Sequence, residues 1–158
     1  MPDSPESVVL LEAGSVIAEG GLARTLDVPP GTPVHKRRYL LSRDNAPYAL
    51  RALVYPAPVL ASVPEVAVTA SLTEELCRLV GERLGSPPSD ETTETTARRP
   101  TGLERHLLGL HATEAVVTHR VRKLFLADGR LLLTEATIIS GDRALRRTVP
   151  ASQVEDEE

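Results

Sequence analysis

The sequence has no tryptophan, one phenylalanine, three tyrosines and a single cysteine. An aromatic core is therefore excluded, and Leu, Val, Ile and Ala must carry the packing. One cysteine excludes an internal disulfide and fits a reducing compartment. Long apolar runs are missing too: stretches such as Leu131–Leu133 are far too short to span a bilayer. There is no excess of cations, the formal net charge of -4 arguing against a surface built for polyanions. The amino terminus, Met1-Pro2-Asp3-Ser4-Pro5-Glu6, is acidic and lacks the basic region of a secretory signal. These absences together describe a cytoplasmic protein without a membrane segment.

What remains is ample for one domain: 158 residues, 41% of them hydrophobic. Val8–Leu11 reads as a short strand, and Leu22–Leu26, after Gly20-Gly21, as one or two helical turns ended by Pro29-Pro30-Gly31. Val34–Ser42 and Tyr48–Tyr55 flank the turn residues Arg43-Asp44-Asn45-Ala46-Pro47 and read as a hairpin. Pro56, Pro58 and Pro64 punctuate a loop. A helix is expected from Ser71, with Ser71 and Glu74 as a capping box and Leu72, Leu76, Leu79 and Val80 on one face. Gly85 and Pro87-Pro88 end it, and Cys77 beside the stripe reads as a packed, inert thiol. Composition leaves residues 86–100 open between an exposed strand and a linker. Thr101 and Glu104 form a second capping-box pattern, before a short helix marked by Leu103, Leu107 and Leu110. Ala115–Leu126, the Asp128-Gly129 turn and Leu131–Ile139 make a second hairpin. Residues 1–150 read as one domain and 151–158 as an acidic disordered tail.

The chain repeats itself. Leu26, Val34 and Arg38 are spaced as Leu108, Val116 and Arg120 are, each set followed by a turn, at Asp44-Asn45 and at Asp128-Gly129. Each copy is a short helix, a turn and a hairpin. Two hairpins that cannot bury a face alone are expected to merge into one antiparallel sheet with helices on it, an α+β fold.

Residues 26–34 (Leu26-Asp27-Val28-Pro29-Pro30-Gly31-Thr32-Pro33-Val34), Arg38 through Pro47, Val54-Tyr55-Pro56, Ser71-Leu72, Leu103–Val116 and Ser140-Gly141-Asp142-Arg143 occur in an order that resembles UTRA domains. These are the effector-binding parts of GntR-family transcription regulators of the HutC subfamily. The resemblance runs from about Val8 to Arg147. It implies a chorismate lyase-like antiparallel sheet with flanking helices, and hence a strand at residues 92–98. It also implies a small, often anionic metabolite as ligand, a homodimer, and DNA contact through a winged-helix domain that does not precede Val8 here. The chain departs from the family at Arg51 and Leu133, where Glu is common, at Thr73, where Tyr is common, and at Ala144, where an aromatic is usual. Those departures point away from a typical amino-sugar phosphate.

Anion chemistry then singles out candidates. A helix amino terminus at Ser71 offers free amides and a partial positive charge, with the Ser71 and Thr73 hydroxyls beside it. Arg38 offers a forked charged donor from the sheet, and Arg51 a second cation. Thr134 and Glu135 on the last hairpin are placed to meet the polar remainder of the ligand. No cofactor and no metal site is expected: His35, His106, His111 and His119 lack metal-ligand spacing, and the only cysteine is distant in sequence. No Ser-His-Asp set, credible carboxylate pair or phosphate loop supports catalysis. A chorismate lyase-like enzyme rests on fold alone. A degenerate module acting by protein–protein contact rests on the altered ligand positions.

Overall fold

The computed structural model describes residues 6–68, 73–111 and 115–140. Its six strands form one antiparallel sheet: β1 (Glu6–Ala18), β2 (Thr32–Arg43), β3 (Ala46–Pro56), β4 (Pro88–Arg98), β5 (Val117–Leu126) and β6 (Leu131–Ser140), in the spatial order β1-β2-β3-β6-β5-β4. The hairpins β2–β3 and β5–β6 meet along β3 and β6, as the repeat predicts, from Ala49↔Ile139 to Val54↔Thr134. The repeat is larger than expected. Each hairpin is preceded by an outer strand and a short helix, β1 with α1 (Gly20–Leu26) on one side and β4, across the later part of 86–100, on the other.

The short helices end alike. Asp27 and Gly109 both adopt the left-handed conformation, at φ 55° and 66°. In each case the following amide reaches back to close the helix, Val28 N–H to the Ala23 carbonyl at 3.0 Å and Leu110 N–H to the Arg105 carbonyl at 2.9 Å. The second of these helices, α4 (Gly102–Leu108; the numbering leaves α2 and α3 for the helices between), starts on the expected capping box. The Thr101 N–H donates to Glu104 Oε1 at 3.0 Å, and the Glu104 N–H donates to Thr101 Oγ1 at 3.2 Å. Glu104 also receives both arms of Arg98, at 2.7 and 2.9 Å. Those two arginine hydrogen bonds hold the carboxyl below the usual range, against burial and with help from the Thr101 amide.

Three expectations change. The proline-rich stretch is not a loop but α2 (Ala57–Ser62) followed by a 3₁₀ turn (Pro64–Val68). Proline lacks only an amide that a first helical turn leaves unpaired anyway, so Pro56 and Pro58 start this helix rather than forbid it. Val59, Val63 and Val66 from this segment are fully buried. The helix expected from Ser71 begins later: α3 is Glu74–Leu84, capped by Thr73, whose Oγ1 accepts from the Leu76 N–H at 3.2 Å. Ser71 itself lies outside the described residues. The first strand is also far longer than Val8–Leu11, because Glu12–Ser15 continue the ladder past a bulge between Leu10 and Glu12.

The sheet has two dressed faces. α1 and α4 cover one, through Leu26 with Val54 and through Leu108 with Leu50 and Ile138. α2, the 3₁₀ turn and α3 cover one end of the other, over Tyr39, Leu53, Tyr55 and Leu133. The Tyr55 hydroxyl donates to the buried Val66 carbonyl at 2.9 Å, and burial pushes its pKa up to about 12. Cys77 is buried in this cluster, and burial pushes its thiol up, away from the reactive thiolate.

The crossing from α3 to β4 is tight. A Cβ at Gly81 would stand 2.7 Å from the Ser86 carbonyl oxygen and 2.8 Å from Pro88 Cδ. Gly81→Ala should therefore lower stability, although alanine in a free helix gains about 1 kcal/mol over glycine. A thermal melt checks this: the midpoint is expected to fall by several degrees, and a rise would show that the α3–β4 contact is loose.

Candidate effector site

Residues alternate across a strand, so the register sorts every candidate onto one face or the other. On the face shared with α3, two adjacent rows cross the sheet. One runs Tyr39, Arg51, Thr137, Arg120, and the next Arg37, Leu53, Glu135, Arg122. The first row lies beyond the apolar cluster under α2 and α3, and toward the other end Leu41, Ala49 and Ile139 form a separate small core.

Between these cores sits a charged knot. Glu135 has a side chain only 7% exposed, and three guanidiniums converge on it: Arg122 Nη1 at 3.4 Å, Arg51 Nε at 3.9 Å and Arg120 Nη2 at 4.0 Å. Among the described residues only Arg122 makes a hydrogen bond to it, and Arg122 also holds Glu91 at 2.5 Å. Burial opposes the Arg122 charge, yet Glu91 and Glu135 outweigh it and keep its pKa above the ordinary arginine value. Arg51 Nε, Arg120 Nε and Thr137 Oγ1 are buried with no hydrogen-bond partner among the described residues. Buried donors of this kind cost free energy until something accepts from them. Arg122 and Glu91 also act on Cys77 of α3, the one lowering and the other raising its pKa, both less than burial does.

The sequence candidates divide accordingly. Arg51 and Glu135 meet here, and Thr73 caps the helix on this face. Arg38 and Thr134 lie on the opposite face, lining a cavity of about 370 Å³ between α1 and α4. The expected convergence of Arg38 with the Thr73 helix therefore does not occur. The repeat also carries a slip. Leu26 and Leu108 are equivalent at their helices, but Val34, 2% exposed, matches Val117, 0% exposed, while Val116 is 45% exposed. One extra residue in the second copy turns Arg120 to the face opposite Arg38. Arg120, Arg122 and Thr137 join this knot although residue type alone does not single them out. Their sequence signal is the spacing: Arg120-x-Arg122 and Glu135-x-Thr137 are strand spacings that place each pair on one face.

Among the described residues no group of three or more His, Cys, Asp and Glu side chains is placed to hold a metal ion. No described helix is long and apolar enough to cross a membrane.

A family model for the UTRA domain matches residues 6–144. The chain belongs to the UTRA domain family. Solved structures agree on the fold. A GntR-family transcriptional regulator from Bacillus cereus superposes with a TM-score of 0.77 at 18% identity, over 92% of this chain and 99% of that one. The effector domain of PhnF from Mycobacterium smegmatis gives 0.68 at 20% identity, over 92% and 87%. The C-terminal domain of the histidine utilization repressor from Pseudomonas syringae pv. tomato gives 0.69 at 14% identity, over 92% and 100%. No match to a curated protein is found. The UTRA fold is thus the six-stranded antiparallel α+β sheet expected from the sequence.

In this UTRA domain Glu135 is the buried counter-ion shared by three guanidiniums, of which Arg122 also has Glu91. Glu135→Gln should cost about 2 kcal/mol, because it leaves the half-buried Arg51 and Arg120 without their carboxylate. Urea unfolding measures the loss, and added sulfate should restore part of it. A variant as stable as the parent would show that the arginines do not depend on Glu135.

Proposed function

We propose that this UTRA domain is the effector-binding and dimerising part of a HutC-type GntR transcription regulator, and that it senses an anionic metabolite at the arginine face. The observation that carries this reading is the surplus of charge at Glu135, where three guanidiniums face two carboxylates, Glu135 and Glu91, and two buried Nε donors lack hydrogen-bond partners among the described residues. A phosphate or carboxylate from the ligand would accept from Arg51, Arg120 and Thr137. A ligand signals only by favouring one conformation over another, and α3, which packs on the same face, is the element that would respond.

The chemistry is that of binding, not turnover: the face presents cations and a hydroxyl, with no nucleophile–base pair among its residues. DNA contact belongs to a separate winged-helix domain, and the setting is the cytoplasm. The dimer part is supported by β1. This edge strand exposes Val8, Val9 and Leu10 at 45–50%, a row of apolar side chains beside unpaired backbone that suits a second copy.

Thermal unfolding against sugar phosphates, amino-acid derivatives, nucleotides and carboxylates tests the proposal. A ligand at about a hundred times its Kd adds about 2.7 kcal/mol, which raises the midpoint by several degrees. One chemical class of anion should shift the parent and leave Arg51→Gln/Arg120→Gln unmoved. A shift that survives in the double variant overturns the site. Silence across the panel favours the degenerate interaction module.

A further inference from the structure

The face of the sheet opposite the arginine knot carries its own cavity, of about 370 Å³, within the range of small-molecule sites. Its floor is apolar and shallow at the centre, where Ala52 pairs with Ala136, and it is walled by Leu50 and Ile138. α1 and α4 stand on either side like banks of a trough. At one end Lys36 and Arg38 project from β2. Glu12 is the only carboxylate within 4.0 Å of either among the described residues, at 3.6 Å from Lys36 Nζ and 3.9 Å from Arg38 Nη1. That carboxylate is half exposed and both contacts are long, so it is a weak partner shared by two cations. The other charged side chains of the lining have partners of their own: Arg98 and Glu104 form a bidentate pair, and Arg51 pairs with Glu135 on the opposite face. One positive charge is therefore left over.

A second observation points the same way. Thr134, 2% exposed, lines this cavity, and its hydroxyl is buried without a hydrogen-bond partner among the described residues. The cavity thus offers apolar floor, one unanswered hydroxyl and one surplus cation at its edge.

We propose that this cavity is a second ligand site, for a small amphipathic carboxylate whose apolar body lies over Ala52 and Ala136 while its carboxylate displaces Glu12 from Lys36 and Arg38. The apolar floor excludes a bare phosphate, whose hydration such a surface cannot replace. Arg38 and Ala136 lie on one side of the sheet and Arg120 and Arg122, outside the lining of this cavity, on the other, so the two sites are separable through Arg120 and Arg122, while Arg51 of β3 borders both.

Calorimetric titration of the whole chain with octanoate and with benzoate is the test, with 1-octanol as the neutral counterpart and inorganic phosphate as the bare anion. At least one carboxylate should bind saturably. Lys36→Met/Arg38→Gln should weaken it about tenfold or more, the scale of one lost partly exposed charge contact. Ala136→Leu, which fills the floor without touching a charge, should abolish binding while the circular dichroism melt stays cooperative. Arg120→Gln, outside the lining of this cavity, should leave it unchanged, and phosphate should not compete. The proposal is overturned if neither carboxylate saturates, if 1-octanol binds as well, if Ala136→Leu still binds, or if only the arginine-face variant loses affinity.

Discussion

Pairing of β3 with β6 is the contact on which the rest depends. It joins two halves that would each leave a sheet face bare, and its register decides which side chains share a face. Moved by one residue, it would carry Glu135, together with Arg120 and Arg122, to the face opposite Arg51. Both candidate sites follow from this alternation. Arg51, Arg120, Arg122 and Glu135 form one cluster and Lys36, Arg38 and Thr134 another, separated by the thickness of a single sheet.

The electrostatics differ between those faces for a physical reason. Glu135 is buried and surrounded, so its interactions are screened little by water. Glu12 stands on an edge strand and is half exposed, so its two long contacts are weak. The chain as a whole is acidic, at -4, yet two patches of its sheet, around Arg38 and around Arg51 with Arg120, are locally basic. Clustering cations in this way concentrates positive potential at chosen points of an acidic body.

Much of the fold is legible in the sequence because its signals are local. The turns at Asp44-Asn45 and Asp128-Gly129, the Thr101–Glu104 capping box and the buried Cys77 each need only a few neighbouring residues. The α2 helix was hidden because three prolines read as loop, although a proline at a helix start costs nothing. The length of β1 was hidden by Glu12–Ser15, which break the apolar alternation on an edge strand where little is buried. The site was legible only in part. Residue types pointed to Arg51 and Glu135, but assigning Arg38 to the same pocket required the register across three strands. Equal spacing in the repeat suggested that Arg38 and Arg120 are equivalent, and a one-residue slip between helix and strand undid it. Spacing along a chain fixes side-chain direction only as far as the next bulge or turn.

Anion binding by the guanidiniums around Glu135 is read most directly at the arginine side chains themselves. Nitrogen-15 NMR of the arginine Nε–H groups, followed during titration with inorganic phosphate, reports on each of them. The Arg51 and Arg120 signals should move together and saturate, while Arg38 stays still. Motion at Arg38 with Arg51 and Arg120 unchanged would contradict anion binding at this face.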